Sequence, residues 1–66
     1  MQIGDCTLGR ILAARRVLIG LRQNEVAERA GTSAEYISQI ERGRRLPSSA
    51  LLRRIVDALK MPRQAA

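Results

Sequence analysis

Residues 22–43 constrain the fold more than any other stretch of this 66-residue chain. They contain two short helix patterns that meet at Gly31, a residue that tolerates the positive φ of a tight turn. Ile37 and Ile40 lie three positions apart in the second pattern, so they share one helix face and can pack on the apolar residues of the first. The stretch therefore predicts two short helices that cross closely, followed by a run of arginines.

The rest of the chain contains two more helix patterns and no strand pattern. A first helix is predicted from Thr7, as its N-cap, to Ile19, and the two central helices from Gln23 to Ala30 and from Ala34 to Arg42. Either Ser33 or a Thr32–Glu35 capping box can begin the third helix. The fourth is predicted from Ser49 to Lys60. Its buried stripe is predicted to comprise Leu52, Ile55, Val56 and Leu59.

These patterns predict an all-α fold, a compact bundle of four or five short helices with a central helix-turn-helix. We expect a single domain over residues 1–66, with its core in 7–60 and a frayed tail at 62–66. The second helix of such a motif enters the major groove of DNA. The side chains opposite its apolar face are short or polar and could reach base edges: Ala34, Glu35, Ser38 and Gln39.

The charge of the chain agrees with a polyanionic partner. Twelve basic residues stand against six acidic ones, which gives a formal charge of +6. All the basic residues except Lys60 are arginines, whose fork binds phosphate and guanine edges bidentately. An anionic membrane surface is the other polyanion that a basic domain can bind, and a genome rich in G and C would favour arginine codons without any function.

The chain offers little chemistry besides binding. It has no histidine and a single cysteine, Cys6, which excludes a zinc site or an internal disulfide within these 66 residues. General acid–base catalysis has no plausible carrier, so we expect no enzyme activity, no metal, no cofactor and no small-molecule substrate. No apolar run reaches 18 residues and no signal peptide is visible, which predicts a cytoplasmic protein with no membrane partner.

The ordered residues from Leu8 to Leu59 resemble the lambda-repressor/Cro-like helix-turn-helix family. No single residue carries the resemblance; the ordered set does. Its members are Leu8-Gly9, Arg16, Gly20-Leu21, Gln23, Val26-Ala27, Gly31, residues 36–43 (YISQIERG), Pro47, Leu52, Ile55 and Leu59. The resemblance implies a sequence-specific, double-stranded DNA-binding regulator. Many members of the family carry a fifth helix that dimerises, and this sequence ends soon after its fourth helix pattern.

The roles of the family's residues transfer position by position. Base reading is implied for Ser33, Ala34, Glu35, Ser38 and Gln39. Phosphate contact is implied for Arg22, Gln23, Asn24, Tyr36, Arg42, Arg44 and Arg45. An ion pair between helices 1 and 3 is implied for Arg16 and Glu41. Arg22 stands where the family usually has a Ser or Thr cap, which costs helix stability and can add a phosphate contact.

Each of these roles has a structural alternative. Gln39 could be a solvated helix residue, and Glu35 could either accept a hydrogen bond from cytosine N4 or only favour the helix N-terminus. Tyr36 could be a half-buried packing residue, and the arginines at 44 and 45 could belong to an ordinary solvated loop. We expect Arg53 and Arg54 to face solvent.

The apolar residues of helix 1 exceed what one core face needs. Ile11, Val17 and Leu18 lie off the predicted stripe, and Ile3 precedes the helix; such a surplus usually marks an interface. We expect a homodimer on a palindromic operator, as a repressor or restriction–modification controller. The other reading is an antitoxin or other protein-interaction module that uses the same fold to bind a protein.

Overall fold

The computed structural model describes residues 4–62, and the side chains of residues 7–62. In this part of the chain four helices follow one another and there is no strand. They are α1 (Gly4–Leu18), α2 (Gln23–Ala30), α3 (Ala34–Glu41) and α4 (Ser49–Ala58). The predicted all-α fold with a central helix-turn-helix is confirmed. The predictions for Ile3, the thiol of Cys6 and the tail beyond Pro62 lie outside what the structure describes.

Helices α2 and α3 lie at the centre of the domain, because they pack against each other, α4 packs against α2 and α1 packs against α3. The core is aliphatic, and its most deeply buried large side chains are Val26, Ile40 and Ile55. The predicted packing of the isoleucines of α3 on α2 is confirmed. The whole buried cluster comprises Leu12, Leu21, Val26, Ala27, Ala30, Ile37, Ile40, Leu51, Ile55, Ala58 and Leu59.

Two turns fix the orientation of α3. Gly31, at the end of α2, has φ 74° and ψ 36°, and this left-handed conformation lets the N–H of Thr32 donate to the carbonyl of Ala27 at 2.9 Å. Gly43, with φ 77°, follows α3 in the same way, and the N–H of Arg44 donates to the carbonyl of Gln39 at 2.9 Å. Both glycines therefore direct the chain sharply away from a helix end.

Four predicted helix boundaries were wrong. Helix α1 ends at Leu18, one residue before the predicted Ile19. Helix α1 begins at Gly4, so Thr7 lies inside it and is not its N-cap. Helix α3 ends at Glu41 with Arg42 as its C-cap, one residue earlier than predicted. Helix α4 ends at Ala58 with Leu59 as its C-cap, before Pro62 can stop it. The carbonyl of Ala58 is instead bound by the side chain of Arg29, at 3.0 Å.

The predicted buried stripe of α4 was also partly wrong. Leu51 and Ala58 are buried beside Ile55 and Leu59, whereas Leu52 is only partly buried and Val56 is 43% exposed. The small Ala58 faces the core. Helix α4 is therefore rotated about its own axis, relative to the orientation that would bury its largest side chains. None of the helices in residues 4–62 is long and apolar enough to cross a membrane.

Candidate nucleic-acid interface

Helix α3 is positioned by its cap and by its buried face. The hydroxyl of Ser33 accepts a hydrogen bond from the N–H of Tyr36 at 3.1 Å, so Ser33 is the N-cap and the competing Thr32–Glu35 box was wrong. Ile37 and Ile40 are 3% and 2% exposed. Because both isoleucines face the core, the opposite side of α3 is turned to solvent.

The solvent side of α3 borders two adjoining hollows. The first, here called the Arg44 hollow, has a volume of about 450 Å³ and is lined by Gln23, Ala34, Glu35, Ser38, Gln39, Arg42 and Arg44. The second, the Arg45 hollow, has a volume of about 280 Å³ and is lined by Ser33, Glu35, Tyr36, Gln39 and Arg45. Glu35 and Gln39 line both.

The structure thus brings together most of the residues that the sequence singled out. All five positions implied for base reading line one hollow or both, and so do five of the seven implied for phosphate contact. Arg22 and Asn24 line neither hollow, although both are exposed at the start of α2. The backbone N–H of Arg22 donates to the carboxylate of Glu25 at 2.7 Å, while its own side chain has no acceptor with which to cap the helix.

Arg16 and Glu41 form an ion pair beneath this surface. The Nε of Arg16 lies 2.7 Å from Oε2 of Glu41, and its Nη2 donates to Oε1 at 3.1 Å. The two side chains are 16% and 10% exposed. The Nε2 of Gln23 also donates to Oε1 of Glu41, at 3.0 Å. One carboxylate therefore joins α1, the start of α2 and the end of α3.

The arginines near α3 differ in what their side chains contact. Arg42 and Arg44 make no side-chain hydrogen bond or ion pair in the described part of the chain, so their charge is available to a ligand. The guanidinium of Arg45 lies over the ring of Tyr36, 5.0 Å from its centroid. Tyr36 itself is half-buried against the core cluster.

Three other arginines bind main-chain carbonyls, which the sequence analysis missed. Arg29 donates to the carbonyls of Ala58 and Met61, at 3.0 and 2.8 Å. Arg54 is exposed, as predicted, and its Nε also donates to the carbonyl of Ala30 at 2.9 Å. Arg15 donates to the carbonyl of Leu59 at 3.0 Å. A cation at the C-terminus of a helix binds the free carbonyls there and interacts favourably with the helix dipole. These three arginines therefore stabilise the fold.

The order of the four helices, the turn at Gly31 and the solvent face of α3 define a helix-turn-helix domain. The chain belongs to the helix-turn-helix domain family, because the family model described as "Helix-turn-helix domain" matches residues 7–66. The resemblance to lambda-repressor/Cro-like domains is confirmed.

Named relatives agree with this assignment. The chain is 44% identical over 55 residues to the transcriptional regulator ClgR of Mycobacterium tuberculosis, a match that covers 83% of this chain and 49% of ClgR. It therefore spans about half the length of that relative. It is also 40% identical over 53 residues to YazB of Bacillus subtilis, an uncharacterised HTH-type transcriptional regulator, with 80% of this chain and 77% of YazB covered.

Solved structures match closely in shape. The restriction–modification controller protein C.AhdI from Aeromonas hydrophila superposes with a TM-score of 0.81 at 28% identity, over 85% of this chain and 81% of that one. The clp gene regulator ClgR from Corynebacterium glutamicum gives a TM-score of 0.85 at 34% identity, over 92% of this chain and 78% of that one.

Proposed function

We propose that this chain is a sequence-specific double-stranded DNA-binding transcriptional regulator whose helix α3 enters the major groove. One observation carries the proposal: the five short or polar positions of α3 and its cap meet arginines that form no ion pair in the described residues, in two adjoining hollows on a single face. Base edges are read by short polar side chains, and the surrounding cations neutralise phosphates. Family membership and the similarity to named regulators support the same role, which is binding and not catalysis.

The proposed phosphate contacts lie around the Arg44 hollow. Gln23 is at the first position of α2, where the free N–H groups of a helix N-terminus favour an anion, and its side chain is held by Glu41 at 3.0 Å. Arg42 and Arg44 follow α3 on the same face. We propose that these three residues fix the register of α3 on the duplex, while Ser38 and Gln39 contact base edges.

A homodimer on a palindromic operator is the second part of the proposal. Helix α1 exposes three aliphatic side chains to solvent: Ile11 at 60%, Val17 at 65% and Leu18 at 77%. Ile11 and Leu18 are seven positions apart and share one face of α1, whereas Val17 lies about 100° further round. An exposed apolar pair of this kind supports contact with another protein surface, and a second copy would place two recognition helices on half-sites about 34 Å apart. A protein-interaction module is the competing function that the same face would serve.

Selection of bound sequences from a random DNA pool tests the proposal most directly. We expect recovery of a short palindrome whose halves are separated by about one helical turn. Recovery of a single half-site would retain the DNA-binding function and remove the symmetric dimer. A pool that shows no enrichment at all, with the chain folded by circular dichroism, would remove the DNA-binding function and favour the protein-interaction module.

Salt dependence should identify the phosphate contacts. Replacing Arg44 with alanine is expected to make the log–log slope of affinity against salt shallower by about 1 per subunit, because each phosphate neutralised adds about −0.9. Specific and random DNA should weaken alike. Arg53→Ala is the matched control, since Arg53 is exposed on α4 and lines neither hollow. Equal slopes for Arg44→Ala and the native chain would exclude Arg44 from the phosphate contacts.

A second measurement should distinguish a residue that contacts base edges from one that contacts phosphates. Gln39→Ala is expected to weaken the selected operator by roughly 1–3 kcal/mol and to relax one base-pair position in each half-site, with little effect on random DNA. Asn24→Ala removes a comparable exposed amide outside both hollows and should weaken the two DNAs equally or not at all. Should Gln39→Ala also weaken both equally, Gln39 would not be a base reader.

A further inference from the structure

Arg45 is held on an aromatic platform. Its guanidinium carbon lies 5.0 Å from the centroid of the Tyr36 ring, and that ring is fixed because it packs on the core cluster. A guanidinium held over an aromatic ring by this cation–π contact still has N–H donors available for a ligand. In the described part of the chain Arg45 makes no hydrogen bond and no ion pair. The contact thus orients a fork of donors before any ligand binds.

The surroundings of Arg45 differ from those of the other loop arginines. Arg42 and Arg44 line the Arg44 hollow together with Gln23, where we propose phosphate contacts. Arg45 does not line that hollow; it shares the other one with Ser33, Glu35 and Gln39, all positions implied for base reading. By its neighbours, Arg45 therefore belongs with the base-reading residues, whereas the resemblance alone assigned it to the backbone.

A carboxylate lies in the same hollow as this fork. Glu35 and Arg45 both line it, yet they form no ion pair with each other in the described residues. The hollow consequently offers two adjacent donors and a separate strong acceptor. In the major groove only guanine presents two adjacent acceptors, O6 and N7, while cytosine presents the N4 donor. The cation beside Glu35 also reduces the repulsion that a carboxylate meets near phosphates.

We propose that the Arg45 hollow reads G·C base pairs in each half-site, with Arg45 donating to guanine O6 and N7 and Glu35 accepting from cytosine N4. This inference rests on the proposed DNA-binding function and names the bases that its site takes. Tyr36 is a positioning residue, because it acts on DNA through the orientation of Arg45. The two contacts fall on one base pair or on two neighbouring ones.

Selection and competition binding with Arg45→Lys test the guanine contact. Lysine keeps the charge but loses the stacked fork. At the position where the selected base differs between the two chains, we expect the native chain to favour G·C over A·T by roughly 5- to 150-fold. Arg45→Lys should reduce that preference to about threefold or less with an unchanged salt slope. Arg44→Lys, the matched control, should leave the preference intact.

An atomic substitution in the DNA makes the contact explicit. Placing 7-deazaguanine at that position removes the N7 acceptor alone, and it should weaken the native chain by roughly fivefold or more. Arg45→Lys should lose less, because an ammonium lacks the two-pronged fork and can donate to O6 alone. Glu35→Gln, tested by selection and competition binding, should relax the preference for the cytosine that Glu35 reads. Tyr36→Leu, which keeps an apolar side chain against the core, should lower the guanine preference while Arg45 is still present.

The outcomes separate the two proposals. A native chain that enriches no sequence overturns both the DNA-binding function and this inference. A native chain that enriches a defined site, with Arg45→Lys selecting the same bases at the same strength, overturns this inference alone and returns Arg45 to the phosphate contacts. A selected site without any G·C pair would also overturn this inference alone.

Discussion

Replacing Gly9 with alanine is expected to destabilise the domain by about 3 kcal/mol or more, the upper end of what overpacking a core costs. Helix α1 crosses the end of α3 at this residue. A Cβ on Gly9 would overlap the carbonyl oxygen of Ile40, and it would lie 2.7 Å from the carbonyl oxygen of Glu41. Both obstacles are main-chain atoms, so no side chain can rotate away. Helix α1 must instead move outward from α3.

The sign of this effect is decided by two opposed terms. Alanine stabilises a helix interior by roughly 0.5–1 kcal/mol relative to glycine. The overlap of the new Cβ costs more than this gain, because the displacement of α1 also loosens Leu12 and the Arg16–Glu41 contact. Thermal unfolding followed by circular dichroism measures the difference. Ala14→Gly, at an exposed site of the same helix, measures the propensity term alone and should cost about 1 kcal/mol. A Gly9→Ala domain that melts at or above the native temperature would show that α1 and α3 are not in this close contact.

Gly9 also marks a limit of inference from sequence. The resemblance to the family includes Leu8-Gly9, but no local pattern explains why a glycine belongs inside a helix, where it costs stability. The reason is a contact with Ile40 and Glu41, about thirty residues away in the chain. Contacts of that range depend on how two helices cross. Residue spacing along each helix follows from a single sequence, but the distance between the axes of the two helices does not.

The central motif was predictable because its signals are local. Gly31 terminates α2, Ser33 caps α3, and the spacing of Ile37 and Ile40 sets the buried face; from that face the solvent side of α3 follows directly. The division of that side into two hollows was not predictable. It depends on the direction of the loop after Gly43, which carries Arg44 to one hollow and Arg45 to the other.

Apolar patterning failed where a small residue competes with larger ones. In α4 Val56 and Ala58 are two residues apart, so they lie on nearly opposite sides of the helix, and residue hydrophobicity favours burial of Val56. The structure buries Ala58 and leaves Val56 43% exposed. Helix α4 packs on α2. A close approach of two helices selects small side chains at the contact, so burial there follows the space available and not hydrophobicity.

The arginines show the same limit for charge. Composition predicted a polyanionic partner, and counting charges treats every arginine as a candidate for contact with it. Arg15, Arg29 and Arg54 instead bind carbonyls at or just beyond the ends of helices that are distant in sequence. A helix end with free carbonyls is visible in the sequence, but which side chain reaches it is a property of the tertiary fold.

Removing the carboxylate of Glu41 is expected to destabilise the domain by about 3 kcal/mol, the lower end of the cost of breaking a buried ion pair, because the pair is not fully buried. Glu41→Ala leaves Arg16 with only the carbonyl of Leu21, to which its Nη1 donates at 2.9 Å, and it removes the acceptor of Gln23. A domain of this size has roughly 3–10 kcal/mol of stability in total. Much of the Glu41→Ala protein should therefore be unfolded at room temperature, and DNA binding should fail for that reason.

A double-mutant cycle tests whether the ion pair is the cause. Arg16→Met with Glu41→Leu removes both charges together and fills the space, so it should recover part of the lost stability. Recovery should be incomplete, because the carbonyl of Leu21 and the amide of Gln23 both lose their partners. Glu28→Ala is the control for net charge, since it removes an exposed acid from α2 and should stay within about 0.5 kcal/mol of the native chain. We expect a coupling energy of about 1–3 kcal/mol between positions 16 and 41. A coupling near zero would mean that the two side chains contribute independently, and the contact at 2.7 Å would then have no energetic role in joining α1 to α3.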